Sequence, residues 1–137
     1  MKVQIKQGFL FPTQFWTAEL NENIEQLQKE AYLIRKNDKD GVVKSNSGFQ
    51  AYHSKDIRDL SNLPGTNHLL KQIINGVNTI HQISRKGDLQ LTNFWINISG
   101  KGSSNTPHTH SGLTYSGVFF IKVPKEMKGG RFLFYRN

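Results

Sequence analysis

Two histidines placed two residues apart are the part of this sequence best suited to chemistry. They lie in the run Thr106-Pro107-His108-Thr109-His110. Neutral imidazole is the commonest metal ligand in proteins. On a β-strand, residues i and i+2 share a face, with their backbones about 7 Å apart. If this run is extended, both rings can lean toward one metal ion. The alternative interpretation is a polar turn that contains two histidines.

A metal ion held by this pair needs a third protein ligand. Iron(II) oxygen chemistry uses three facial ligands, and a catalytic zinc site uses three ligands and a water. No histidine follows His110, and Glu126 is the only acidic residue after it. His68 and His81 fall on a predicted helix, whereas His53 follows a predicted loop. The sequence therefore offers two ligands and leaves the third unassigned.

Length and composition favour one globular domain over residues 1–137. The 137 residues are 36% hydrophobic, and no apolar run approaches the roughly 20 residues of a membrane helix. The chain has no cysteine, which excludes disulfides and thiolate metal sites. Its start lacks an apolar signal core, so we expect a cytoplasmic protein.

The net charge of +8 is spread along the chain. The densest basic groups are Arg35-Lys36 with Lys39, and Arg85-Lys86. No basic stripe interleaved with aromatic residues is visible, so we do not expect specific nucleic-acid binding. A solvated basic surface explains the charge better.

Apolar residues at three- and four-residue intervals predict two amphipathic helices. The first is predicted to have Asn21 as its N-cap and to end at 37–41, and the second to run from about 67 to 84 before Gly87. A short helix is predicted over 54–63. The inward positions are Leu20, Ile24, Leu27, Ala31 and Ile34 in the first long helix, and Leu70, Ile73, Ile74, Val77 and Ile80 in the second.

Strand patterns dominate at both ends of the chain. Residues 3–16 read as extended, and residues 89–98 alternate, with Trp95 and Asn97 on the face opposite Ile96. A continuous apolar run over 115–123 predicts a strand buried on both faces, and 131–135 predicts a last strand. The class is therefore α+β, with a mainly helical part at 1–87 and strands at 88–137.

Several of these segments, in this order, resemble one family. The chain is similar to the 2-oxoglutarate- and iron(II)-dependent oxygenases of the double-stranded β-helix (jelly-roll, cupin-like) fold found in bacteria and marine phage. The matching pieces are Phe11-Pro12-Thr13, Ser45 to Gln50, Asn93 to Ile98, Lys101 to Asn105, Pro107 to His110, and Ser116 to Pro124.

The resemblance implies an oxygenase with iron(II) and 2-oxoglutarate as cofactors and a small-molecule co-substrate site. It carries the first metal ligand to His108. Where the wider superfamily has a carboxylate, this chain has His110, which is then either a substituted ligand or a residue beside the metal. Asn97 is a candidate to hydrogen-bond the co-substrate or simply faces solvent. Lys122 is a candidate to pair with its carboxylate or extends to the sheet edge, and Tyr115 is a candidate substrate contact.

The family's last histidine and its 2-oxoglutarate-binding arginine would follow Asn137. We therefore expect the chain to be an N-terminal fragment of a longer protein, with an incomplete jelly roll. A complete jelly roll has about eight strands, and residues 88–137 offer about three. We expect the chain alone to bind iron poorly.

Two other functions fit the same residues. A cupin-like binding module for a metal or small molecule would use Gly102, His108 and His110, although 111–115 lacks the acid of that pattern. A phage structural or adaptor protein would keep the fold without catalysing a reaction, and it would function normally without His108.

Overall fold

The protein is an α+β chain, and its described residues form two helices and three short antiparallel strand pairs. A computed structural model describes residues 4–10, 13–42, 46–47, 51–84, 87, 89–129 and 132–134. The pairs are β1 with β2, β3 with β6, and β4 with β5. In chain order the elements are β1 (Gln4–Leu10), β2 (Thr13–Glu19), α1 (Ile24–Asn37), β3 (Asn46–Ser47), β4 (Tyr52–His53), α2 (Pro64–Ser84), β5 (Asn97–Ile98) and β6 (Ser104–Asn105). This confirms the α+β prediction, and the described elements form no closed barrel.

One compact unit comprises Met1–Asn23 and Arg58–Phe94, and it contains β1, β2 and α2. The extended segment predicted near the start forms the β1–β2 hairpin, in which Gly8 lies opposite Phe15. The Phe15 ring occupies the space that a side chain at Gly8 would need. Glycine therefore fits this strand position, because the aromatic ring across the ladder covers it.

Helix α2 begins three residues before the predicted start and ends at Ser84, as predicted. Pro64 is its first residue, a position where the missing N–H costs nothing and the fixed φ suits the helix. The amide of Asn67 donates to the carbonyl of Leu63 at 2.8 Å. The predicted inward face is confirmed: Leu70 is buried, and the other four positions are half-buried, namely Ile73, Ile74, Val77 and Ile80.

The second unit comprises Ile24–Ile57 and Trp95–Asn137, and it contains α1 and the other four strands. Leu27 is 2% exposed and belongs to the core of this unit. The helix begins at Ile24, so the prediction of Asn21 as N-cap is wrong. It ends at Asn37, within the predicted stretch, and the Asp38 amide donates to the carbonyl of Ile34 at 3.0 Å.

The β4–β5 pair joins two segments far apart in the chain. Tyr52 lies opposite Ile98, and His53 lies opposite Asn97. The contact continues past the ladder, because the Ser54 amide donates to the Ile96 carbonyl at 3.0 Å. The short helix predicted over 54–63 is wrong, since this hydrogen bond commits its first residue to the partner strand. The long strand predicted over 89–98 is reduced to its last two residues.

The strand predicted over 115–123 is also wrong: that segment has no regular secondary structure. Val118, Phe120 and Val123 are 61%, 58% and 52% exposed. A strand needs a neighbouring backbone to satisfy its donors and acceptors, and no described strand pairs with this run. Residues 132–134 are likewise exposed and unpaired by any described strand, and the rest of the predicted last strand lies outside the described residues.

Within the part of the chain that the structure describes, neither α1 nor α2 combines the length and the hydropathy that a bilayer crossing requires.

Gly41 lies against the backbone of His53, the last residue of β4, and its replacement should destabilise the fold. Its φ is 56°, in the left-handed region, and an added Cβ would collide with the carbonyl oxygen of His53. That carbonyl already accepts from the Val42 amide at 2.8 Å. We expect Gly41→Ala to lower the free energy of unfolding by about 1–2 kcal/mol or more, measured by urea denaturation.

Gly76→Ala is the matched control for this substitution. Gly76 lies inside α2, and an added Cβ there meets nothing within 4 Å. We expect Gly76→Ala to raise the free energy of unfolding by about 0.5–1 kcal/mol, because alanine is the better helix former. Equal stability of the two variants would contradict the role given to Gly41.

Candidate functional site

The two histidines of the predicted pair lie side by side, but not for the predicted reason. Residues 106–110 follow β6 in a segment without regular secondary structure, so the rings do not share a strand face. The ring centroids of His108 and His110 are nevertheless 4.9 Å apart, with an interplanar angle of 71°. Both side chains are exposed. The loop thus brings two accessible imidazoles together, edge to face.

Local hydrogen bonds fix the course of this loop. Nδ1 of His108 donates to the carbonyl of Thr106 at 2.9 Å, since a carbonyl oxygen can only accept. The neutral imidazole then carries its lone pair on Nε2. Metal-ligating histidines typically donate their other ring N–H in this way. On the far side of the pair, the Leu113 amide donates to the His110 carbonyl at 3.4 Å, with Gly112 at a φ of 79° in the turn.

An indole ring connects this pair to a third histidine. The Trp95 ring stacks on His110 at 6.1 Å and on His53 at 5.4 Å, with interplanar angles of 22° and 15°. His108 adds its edge to the same group. We call these four residues, His53, Trp95, His108 and His110, the His–Trp stack. All four belong to the second unit.

The register of the β4–β5 pair explains how His53 reaches Trp95. Residues directly opposite in an antiparallel pair project to one face. His53 is opposite Asn97, and Trp95 precedes Asn97 by two residues, so all three belong to one face. A diagonal neighbour lies within reach of an aromatic side chain. His53 is buried, and its Nδ1 donates to the Ser54 carbonyl at 2.7 Å.

A complete metal triad is not formed by the residues that the structure describes. No group of three His, Cys, Asp or Glu side chains among them could hold an ion. His53 contacts the indole rather than the other imidazoles. It therefore belongs to the framework of the stack.

The remaining predicted site residues are Asn97, Lys122 and Tyr115. Asn97 is exposed on β5, on the strand position opposite His53. Lys122 is exposed, and no hydrogen bond, ion pair or ring contact of the described residues joins it to the pair. Tyr115 is half-buried in the same irregular segment. Their roles stay predictions.

Sequence reasoning missed two residues that build the site, Trp95 and Ser54. Ser54 is 1% exposed, and its Oγ accepts the Ile96 amide at 3.0 Å and donates to the Lys55 carbonyl at 2.8 Å. This bridge anchors the residue next to Trp95. The sequence did place Trp95 and Asn97 on one face of a strand. The contact of Trp95 with His53 could not be predicted from it, because that contact depends on the pairing of His53 with Asn97.

Comparison with known proteins gives no relative: no family model, curated protein or solved structure matches the chain. Function has to be inferred from the His–Trp stack and from the sequence resemblance.

Proposed function

We propose that this protein is an iron(II)- and 2-oxoglutarate-dependent oxygenase of the hydroxylase type, with His108 and His110 as two of its metal ligands. One observation carries the proposal: the two imidazoles are in ring contact at 4.9 Å, and Nδ1 of His108 is engaged by the Thr106 carbonyl. This leaves Nε2 of His108 as the donor atom, the usual arrangement of a metal-bound histidine.

The donor set fits iron(II) in two of the three positions of a facial triad. No group of three potential ligands is found among the described residues, so the proposal assigns two ligands and leaves the third unassigned. When bound, iron(II) with 2-oxoglutarate and oxygen supplies the oxidation of a substrate C–H bond. In the proposal His108 and His110 hold the metal ion, and Trp95 orients the His110 ring by stacking on it.

Other parts of the proposal rest on the resemblance alone. They are a jelly-roll architecture, Asn97 and Lys122 as contacts of 2-oxoglutarate, and Tyr115 as a contact of substrate. A cytoplasmic location is also part of the proposal. Lys122 would pair with a carboxylate as a compact point charge.

An anaerobic titration tests the proposal through Trp95 itself. The chain has two tryptophans, so Trp16→Phe leaves Trp95 as the only indole. Iron(II) bound at His110 should quench Trp95 fluorescence saturably, and 2-oxoglutarate should raise the apparent affinity. Failure of 2-oxoglutarate to change the affinity would refute the oxygenase assignment.

The exposure of both imidazoles favours a second candidate, a non-catalytic cupin-like metal-binding module. Such a module would quench Trp95 with iron(II) equally well in the presence and absence of 2-oxoglutarate. A structural or adaptor protein would show no metal-dependent quenching at all. The same titration therefore separates the three functions.

A further inference from the structure

A second site of a different chemistry lies at the C-terminal end of α1. An open depression of about 500 Å³ is lined by Tyr32, Arg35, Lys36 and Lys39. These positions are spaced i, i+3, i+4 and i+7, so the three helical residues share one face and Lys39 follows it. Tyr32 is 58% exposed. One accessible aromatic ring therefore lies beside three cationic groups.

The depression carries a net positive charge. The C-terminus of a helix bears about half a negative charge, which three cations more than offset. Asp38 is directed elsewhere: its Oδ1 accepts from Lys55 Nζ at 3.0 Å. Hydrogen bonding to Lys55 holds the pKa of the Asp38 carboxyl below its usual value. Among the ion pairs of the described residues, none involves Lys36 or Lys39.

Arg35 is held in place by a buried ring. Its guanidinium lies 5.6 Å from the centroid of the Tyr52 ring, and Tyr52 is 4% exposed. A cation positioned over an aromatic face is attracted by the ring quadrupole. One wall of the depression is therefore pre-ordered, while the two lysines remain free to adapt.

We propose that this depression binds single-stranded nucleic acid, with a base stacked on Tyr32 and backbone phosphates on Lys36 and Lys39. A basic surface combined with an exposed aromatic ring is how proteins bind single strands without sequence preference, because every base has a π-face. A free inorganic anion would make no use of the ring. The site shares no residue with the His–Trp stack, and the binding proposed here is without sequence preference, which differs from the specific binding that the sequence argues against.

Fluorescence anisotropy with a labelled oligothymidylate of eight nucleotides tests the proposal. Tyr32→Ala should weaken binding roughly 5- to 100-fold, and Tyr32→Phe should bind as the parent chain does. In Lys36→Gln/Lys39→Gln, the slope of log affinity against log salt should lose about 1.4 in magnitude, because each phosphate contact contributes about 0.7.

The matched control is Lys6→Gln/Lys71→Gln, which removes the same charge from two exposed lysines of the other unit. It should leave the affinity nearly unchanged. An equal loss in the control, or no loss in Tyr32→Ala, would mean diffuse charge attraction and would overturn the proposal. Thymidine monophosphate or inorganic phosphate binding as tightly as the oligomer would overturn it too. Circular dichroism confirms that each variant is folded.

Discussion

Loss of both paired imidazoles, in His108→Ala/His110→Ala, should lower the affinity for iron(II) by more than about 100-fold. Removing a group that merely orients a metal ligand typically costs 10- to 100-fold in affinity. Removing two ligands should cost at least as much. The measurement is the iron(II)-dependent quenching of Trp95 in the Trp16→Phe background, under anaerobic conditions.

The control for this variant is His68→Ala. His68 is also an exposed imidazole, and its Nε2 lies 3.8 Å from Glu22 Oε1. Both residues belong to the first unit, which does not contain the His–Trp stack. Its loss should leave the quenching curve unchanged. Each single variant, His108→Ala or His110→Ala, should already weaken binding if both rings are ligands. If only His108→Ala does so, then His110 is the residue beside the metal that the resemblance allows. Unchanged binding in the double variant would contradict the proposed site.

The helices could be predicted from the sequence because their apolar period is local. The period located the inward face of α2 and three of the five inward positions predicted for α1, since i, i+3 and i+4 positions share a helix face whatever surrounds them. Of the other two, Ile24 is 37% exposed and Leu20 precedes the helix. The starts were less predictable: α1 begins at Ile24 rather than beside Asn21, and α2 begins at Pro64 rather than Asn67. The position of a helix N-cap depends on the conformation of the residues that precede the helix, and the apolar pattern carries no information about that conformation.

Strands were the weaker prediction because a strand exists only with a partner. The apolar run 115–123 has strand-like composition, yet it joins no described ladder. Conversely, β4 is two residues long and carries no strand period, and its pairing with β5 depends on residues more than forty positions away. The period of the side chains predicts on which face of a sheet a residue would lie, but it does not predict which strand would pair with the segment.

In the candidate site, too, local spacing could be predicted from the sequence, whereas contacts between distant segments could not. The closeness of His108 and His110 was predicted from an i, i+2 spacing on a strand, and it is found instead in a loop without regular secondary structure. The place of Trp95 beside His53 required the β4–β5 register. The basic group around Arg35 was visible in the sequence, but only the helix brings Tyr32 next to it.

Ser54→Ala tests whether the register of β4 and β5 depends on one buried hydroxyl. The Ser54 Oγ accepts the buried Ile96 amide at 3.0 Å, and alanine would leave that N–H without its partner. An unsatisfied buried donor costs about 1–3 kcal/mol, so we expect urea denaturation to show a loss of that size. Because Ile96 follows Trp95, the variant should also loosen the indole and weaken metal-dependent quenching.

Ser111→Ala is the control, since Ser111 is exposed and lies in the turn after His110. Its Oγ is 3.4 Å from the Thr109 Oγ1, an exposed contact whose loss should change the free energy of unfolding by less than about 0.5 kcal/mol. A Ser54→Ala variant as stable as Ser111→Ala would mean that the strand pair does not need this bridge. A destabilised Ser54→Ala variant with unchanged quenching would separate the stability of β4–β5 from the placement of Trp95, because the indole would then keep its position without the hydroxyl.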